Sequence, residues 1–177
     1  YLFILVYSFG FSQKKTEQII AVDSDIGYLI LDLDNVFNIK LSSTTNSQLV
    51  IKTLSEGEYA NHFVLTKRLE NNNSLHVSGE IAFTFPDNQD KLSAHKVHAI
   101  SVEIFLPNHL QTTVFSDIGN ITIEGEYRLL TTNSQSGSCY LNNVLGNFVI
   151  KTINGDINLS STSRIVKSIN YLIWGDV

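Results

Sequence analysis

Residues 119–123 read Gly-Asn-Ile-Thr-Ile, residues 137–141 read Gly-Ser-Cys-Tyr-Leu, and residues 155–159 read Gly-Asp-Ile-Asn-Leu, each copy 18 positions after the last. Superposed, the copies place Ile121, Cys139 and Ile157 in one column and Ile123, Leu141 and Leu159 in a second. A third column, Val114, Thr132 and Ile150, precedes the glycine. Alternate residues of a strand face opposite sides. Like residues recurring at a fixed period therefore mean coils stacked on one another, each burying the face of the next. Gly119, Gly137 and Gly155 mark one turn per coil, where a positive φ or a close backbone approach is required. The expected fold is all-β: a right-handed, irregular, single-stranded β-solenoid with rungs of about 18 residues, with a β-sandwich as the alternative.

A period of 18 is also three hexapeptides, the unit of left-handed acyltransferase helices. Steps of six from Ile118 meet Glu124, Leu130, Ser136, Asn142, Phe148 and Asn154, where that fold needs an aliphatic residue at nearly every step. The pattern excludes it.

Working towards the N-terminus, period-two alternation over residues 16–22, 26–39, 49–53, 62–66, 75–78, 80–87 and 98–106 predicts further strands. Polar loops separate them, and residues 88–94 are the most charged and least periodic stretch. One domain is expected over 14–177, with less regular strands at 16–106 and regular rungs at 111–177, and no linker divides them. Residues 1–13 are apolar, too short to span a membrane, and followed by Lys14 and Lys15, which predicts the remnant of a secretory signal. Gly175-Asp-Val177 repeats the opening of a rung and then stops, so the C-terminus is expected to be truncated. The expected location is outside the cytoplasm: periplasm, outer-membrane surface or extracellular space.

The chain has 177 residues, 12 Lys and Arg against 17 Asp and Glu, a net charge of -5 and one cysteine. No basic run is available to neutralise a phosphate backbone, so nucleic acid is not an expected partner. Cys139 cannot form an internal disulfide, and its place in an apolar column predicts a small core side chain.

The candidate chemistry is sparse. Asp90, Lys91, His95, Lys96 and His98 form the one concentrated polar group, but on a strand His95 and His98 point to opposite faces, so no metal site is predicted. They remain candidate ligand contacts. Asp117, Asp156 and Asp176 adjoin the repeat, but Asp156 aligns with Asn120 and Ser138, and Asp117 with Gln135 and Ile153. They are expected to serve as turn residues that hydrogen-bond backbone. No catalytic residue and no cofactor is predicted, because no nucleophile elbow or phosphate-binding glycine loop occurs. Tyr127, Tyr140 and Trp174 fall among the rungs and are candidate ligand contacts through their rings, Tyr140 by its place between inward-facing Cys139 and Leu141.

Rungs of the form Lys151-Thr-Ile-Asn-Gly-Asp-Ile157, preceded by Val114-Phe-Ser-Asp-Ile-Gly-Asn-Ile-Thr-Ile123, resemble the coils of an adhesin-like repeat family of Bacteroidetes envelope proteins. Residues 90–98 and the Phe11-Ser-Gln13 end of the leader also resemble flavobacterial members. That resemblance implies secretion and a β-solenoid and supplies no catalytic residues. The function expected is an exported, non-enzymatic adhesin-like or scaffolding protein of unknown ligand, with glycan and envelope or host protein as open partner classes. A glycan-active β-helix enzyme and a periplasmic regulatory or stress module are the alternatives.

Overall fold

The structure, a computed structural model, describes residues 13–57, 60–71, 73–82, 98–160 and 168–173. Residues 1–12 of the leader, Asp90, Lys91, His95, Lys96, Trp174 and Asp176 lie outside them, the side chain of His98 is not described, and Gln13, expected in the leader, opens the first strand. The described residues contain no helix. They form twelve strands: β1 (Gln13–Ala21), β2 (Tyr28–Leu33), β3 (Asn38–Thr44), β4 (Gln48–Gly57), β5 (Phe63–Glu70), β6 (Ser74–Ile81), β7 (His98–Pro107), β8 (Gln111–Ser116), β9 (Asn120–Ser136), β10 (Cys139–Asn154), β11 (Ile157–Ser160) and β12 (Ser168–Ile173).

These make one curled, open, mixed sheet. Its two longest strands each pair in two places. Asn120–Glu124 of β9 lies beside β3, whereas Leu129–Ser134 lies beside β8. The first part of β10 pairs with β11 and its second part with β12. Two runs of strands result, β1-β4-β7-β3-β9-β10-β11 and β5-β6-β2-β8-β9-β10-β12, joined through β9 and β10. Both supply residues to one hydrophobic core: Ile39, Ile104, Ile121 and Leu141 from the first, Leu29, Val77, Val114 and Ile150 from the second. Gly125 and Gly146, with φ of 103° and 98°, stand where β9 and β10 pass from one run to the other. That region of φ is open to glycine and costly for side chains.

The three columns read from the sequence are strand pairings. Cys139 pairs with Ile121 on one side and Ile157 on the other, Leu141 with Ile123 and Leu159, and Thr132 with Val114 and Ile150, all parallel. The repeat glycines stack as well. A Cβ on Gly119 would lie 2.2 Å from the Val36 carbonyl oxygen, one on Gly137 2.3 Å from that of Gly119, and one on Gly155 2.2 Å from that of Gly137. Close backbone approach is thus common to all three, and only Gly137 adds a positive φ, 128°. Beside them runs a polar ladder at the same spacing: Ser138 N donates to Asn120 Oδ1 at 2.9 Å, and Asp156 N to Ser138 Oγ at 3.2 Å. In both cases a turn side chain accepts an amide of the turn 18 residues on.

Antiparallel pairing is confined to β1–β4, β4–β7 and β5–β6, the pairs that lie at one end of each run. Strands β1–β7 are therefore not stacked in parallel throughout. Asn143, with φ 53°, marks the bulge between Asn142 and Val144 in the β9–β10 register.

Candidate ligand-binding trough

Register places one outward row of side chains across seven strands. Glu17 faces Lys52, Lys52 faces Glu103, Glu103 faces Lys40, Lys40 faces Thr122, Thr122 faces Tyr140, and Tyr140 faces Asn158. The neighbouring row is Lys15, Leu54, Ser101, Asn38 and Asn120. Inward-facing partners between them, Ile39, Val102 and Ile121, are buried, so the alternation of each strand sends these two rows to the opposite face.

A trough of about 580 Å³ runs over β1, β4, β7, β3 and the start of β9, lined by Lys15, Glu17, Lys40, Lys52, Glu103 and Asn120 among others. Its volume is that of a small-molecule or oligomer site. Lys40 Nζ lies 3.7 Å from both Glu103 Oε1 and Glu124 Oε2. These are exposed pairs, worth about 0–1 kcal/mol each, and they hold Lys40 in place. Lys52 instead sets its ammonium 5.2 Å from the centroid of the Phe105 ring, a cation–π contact. Among the described residues neither Lys15 nor Lys52 has an ion-pair partner.

Tyr140, expected to point outward, is 40% exposed and continues the trough's first row. Tyr127 does not: it is 1% exposed, and its hydroxyl donates to the Glu124 carbonyl at 2.9 Å. Its expected role as a ligand contact is corrected by this burial. The signal was in the sequence, since Tyr127 lies at even spacing from inward Ile121 and Ile123. Cys139 is buried, and that burial pushes its thiol up to about 11. Ile157 is half-buried and Leu159 exposed, in columns whose other members are buried.

Two other polar groups occur. Asp117 Oδ1 accepts the amides of Asn35 and Ile118, both at 2.8 Å, tying two turns together. Near it the carboxyl of Asp34 is raised above the usual range, first by burial and then by Asp117 and Asp32. On the β5–β6 pair Glu70 hydrogen-bonds Arg68, which with His76 holds its carboxyl low. Among the described residues no three His, Cys, Asp or Glu converge as metal ligands, and no helix is long and apolar enough to cross a membrane.

The residues of the trough were beyond sequence reading. Lys40 and Glu103 stand 63 positions apart and meet only through the β3–β7 register.

No protein-family model and no curated protein matches the chain. Among solved structures it is similar to a "putative cell adhesion protein" from Clostridium sporogenes, with a TM-score of 0.50 and 14% identity over 84% of this chain and 74% of that one. Two structures named "putative adhesin", from Bacteroides fragilis and Parabacteroides merdae, align with TM-scores of 0.31 and 0.29 at 10% and 8% identity. They cover 93% and 92% of this chain and 96% and 95% of their own. At 14% identity the likeness to the Clostridium protein is one of fold.

Proposed function

We propose that the chain is an exported, non-enzymatic binding protein of the bacterial envelope, a right-handed β-solenoid whose outer face contacts other molecules. The observation that carries this reading is the trough with its continuous outward row from Glu17 to Asn158, which sets amides, hydroxyls, ammonium groups and one exposed phenol on a rigid sheet. Such a surface suits contact repeated along a partner, because adjacent strands present their groups about 4.8 Å apart. The apolar leader at 1–13 supports export, and the name of the Clostridium neighbour is in keeping with adhesion.

Protease shaving of intact cells that express the tagged full-length protein tests the reading, with a periplasmic marker as control. Loss of the tag while the marker survives is the expected result. Protection until the outer membrane is opened would count against adhesion and favour a periplasmic role.

A further inference from the structure

We infer that β1 is the seam of a homodimer, in which the β1 strands of two copies pair antiparallel about a two-fold axis at Thr16 and join the two sheets into one. Among the described residues β1 ends its run and pairs with β4 alone, so its other edge keeps a row of backbone donors and acceptors. Such an edge is a template for another strand. Charge selects which strand.

An axis at Thr16 sets Lys15 of each copy opposite Glu17 of the other, with Lys14 opposite Gln18 and Gln13 opposite Ile19. In the other registers that keep both cores on one side of the joined sheet, these ion pairs are lost. An axis at Lys15 or at Glu17 sets that residue against its own copy, like charge on like, which is destabilising across strands. An axis at Gln18 leaves Glu17 facing Ile19 and Lys15 facing Ala21. Within one copy the outward row already alternates in sign, since Lys40 faces Glu103, Glu103 faces Lys52 and Lys52 faces Glu17. Lys15 of the second copy is the next member of that row and continues the alternation across the seam. Among the described residues neither Lys15 nor Glu17 has an ion-pair partner of its own.

Ile19, which faces Val50 on one side, is 60% exposed, the most of any large apolar side chain among the described residues, and Gln13 of the second copy covers its open side. Two other strands at the ends of the runs, β11 and β12, carry no charged residue and offer nothing to Lys15 or Glu17. A lone lysine on an edge wards off partners. Here its complement stands two residues along the same strand, so the strand that answers β1 is a second β1, in an isologous contact.

Sedimentation of the purified protein over a range of concentrations tests the seam. A reversible dimer, weakened by salt, is the expected result. Lys15→Glu, at an exposed position opposite Leu54, is expected to raise the dissociation constant at least tenfold with an unchanged circular dichroism spectrum, and the double exchange Lys15→Glu/Glu17→Lys to recover most of that loss. Thr16→Cys is expected to oxidise to a disulfide-linked dimer, because the residue on the axis faces its own copy at a Cα separation of about 4.5–5.5 Å, whereas Lys67→Cys on β5 is not. A monomer at every concentration, assembly that grows beyond the dimer, a dimer indifferent to Lys15→Glu, or the absence of a Thr16→Cys cross-link would overturn it. The seam does not depend on where the protein is located, so the shaving experiment and this one fail independently.

Discussion

The carbonyl oxygen of Gly119 occupies the space that a Cβ on Gly137 would need, 2.3 Å away, and Gly137 stands in the same relation to Gly155 at 2.2 Å. Backbone, which cannot swing aside like a side chain, is the obstacle in both cases. Gly137→Ala adds that collision to a φ of 128°. It is expected to cost about 3 kcal/mol, a fall in Tm of roughly 6–12 °C. Gly27→Ala is the control: the nearest atoms are the Asn73 side-chain amide at 3.7 and 3.8 Å, and a change within about 0.5 kcal/mol is expected by thermal melting.

Cys139 gives a chemical readout of the same stack. Buried between Ile121 and Ile157, with its thiol raised from 9.0 to about 11, it should resist a thiol reagent at pH 8 in native protein and react on unfolding. Rapid labelling of the native state would contradict the register.

Burial of that thiol also makes a statement about alkaline stability. As pH rises from 9 towards about 11, the unfolded chain releases the proton while the native one retains it, so stability falls, by about 2 kcal/mol across that window. The burial-raised phenol of Tyr127 adds a loss of the same sign at higher pH. Denaturant melts of wild type and Cys139→Ala across this range should show the wild type losing more.

Tyr127 is buried where Tyr140 is exposed. Tyr127→Phe removes the hydrogen bond to Glu124 and is expected to cost about 1 kcal/mol, and Tyr127→Ala about 3–5 kcal/mol. The ring of Tyr127 never reaches the surface.

Asp117 tests the enzymatic alternative. Its carboxylate accepts two amides at a corner, so Asp117→Ala should destabilise by about 1–2 kcal/mol. Turnover of a polysaccharide that this substitution abolishes, in protein still folded by circular dichroism, would point instead to a glycan-active enzyme.

The sequence reading reached furthest where the chain repeats itself. The columns of Ile121, Cys139 and Ile157 were legible because neighbouring parallel strands translate a spacing in sequence directly into a spacing in space. So was the outward direction of Tyr140, which follows from two inward neighbours. Tyr127 was misread as a free aromatic, although counting by twos from Ile123 passes Gly125 and lands it inward. After it the alternation shifts, and Leu130, Thr132 and Ser134 become the buried set. The trough was illegible for a different reason. Its row joins residues 17, 52, 103, 40 and 122 in an order that chain position does not reveal, through antiparallel pairs that no repeat announces.

The most direct test of the account is the backbone nuclear Overhauser pattern of isotope-labelled protein around Tyr140, since the parallel pairing of β10 with β9 and β11 underlies the repeat columns and the glycine column alike. Contacts from Tyr140 to Thr122 on one side and to Asn158 on the other, 18 residues away in each direction, are the predicted result. Contacts that set Tyr140 opposite any other residue, or that show β9 and β10 running antiparallel, would contradict it.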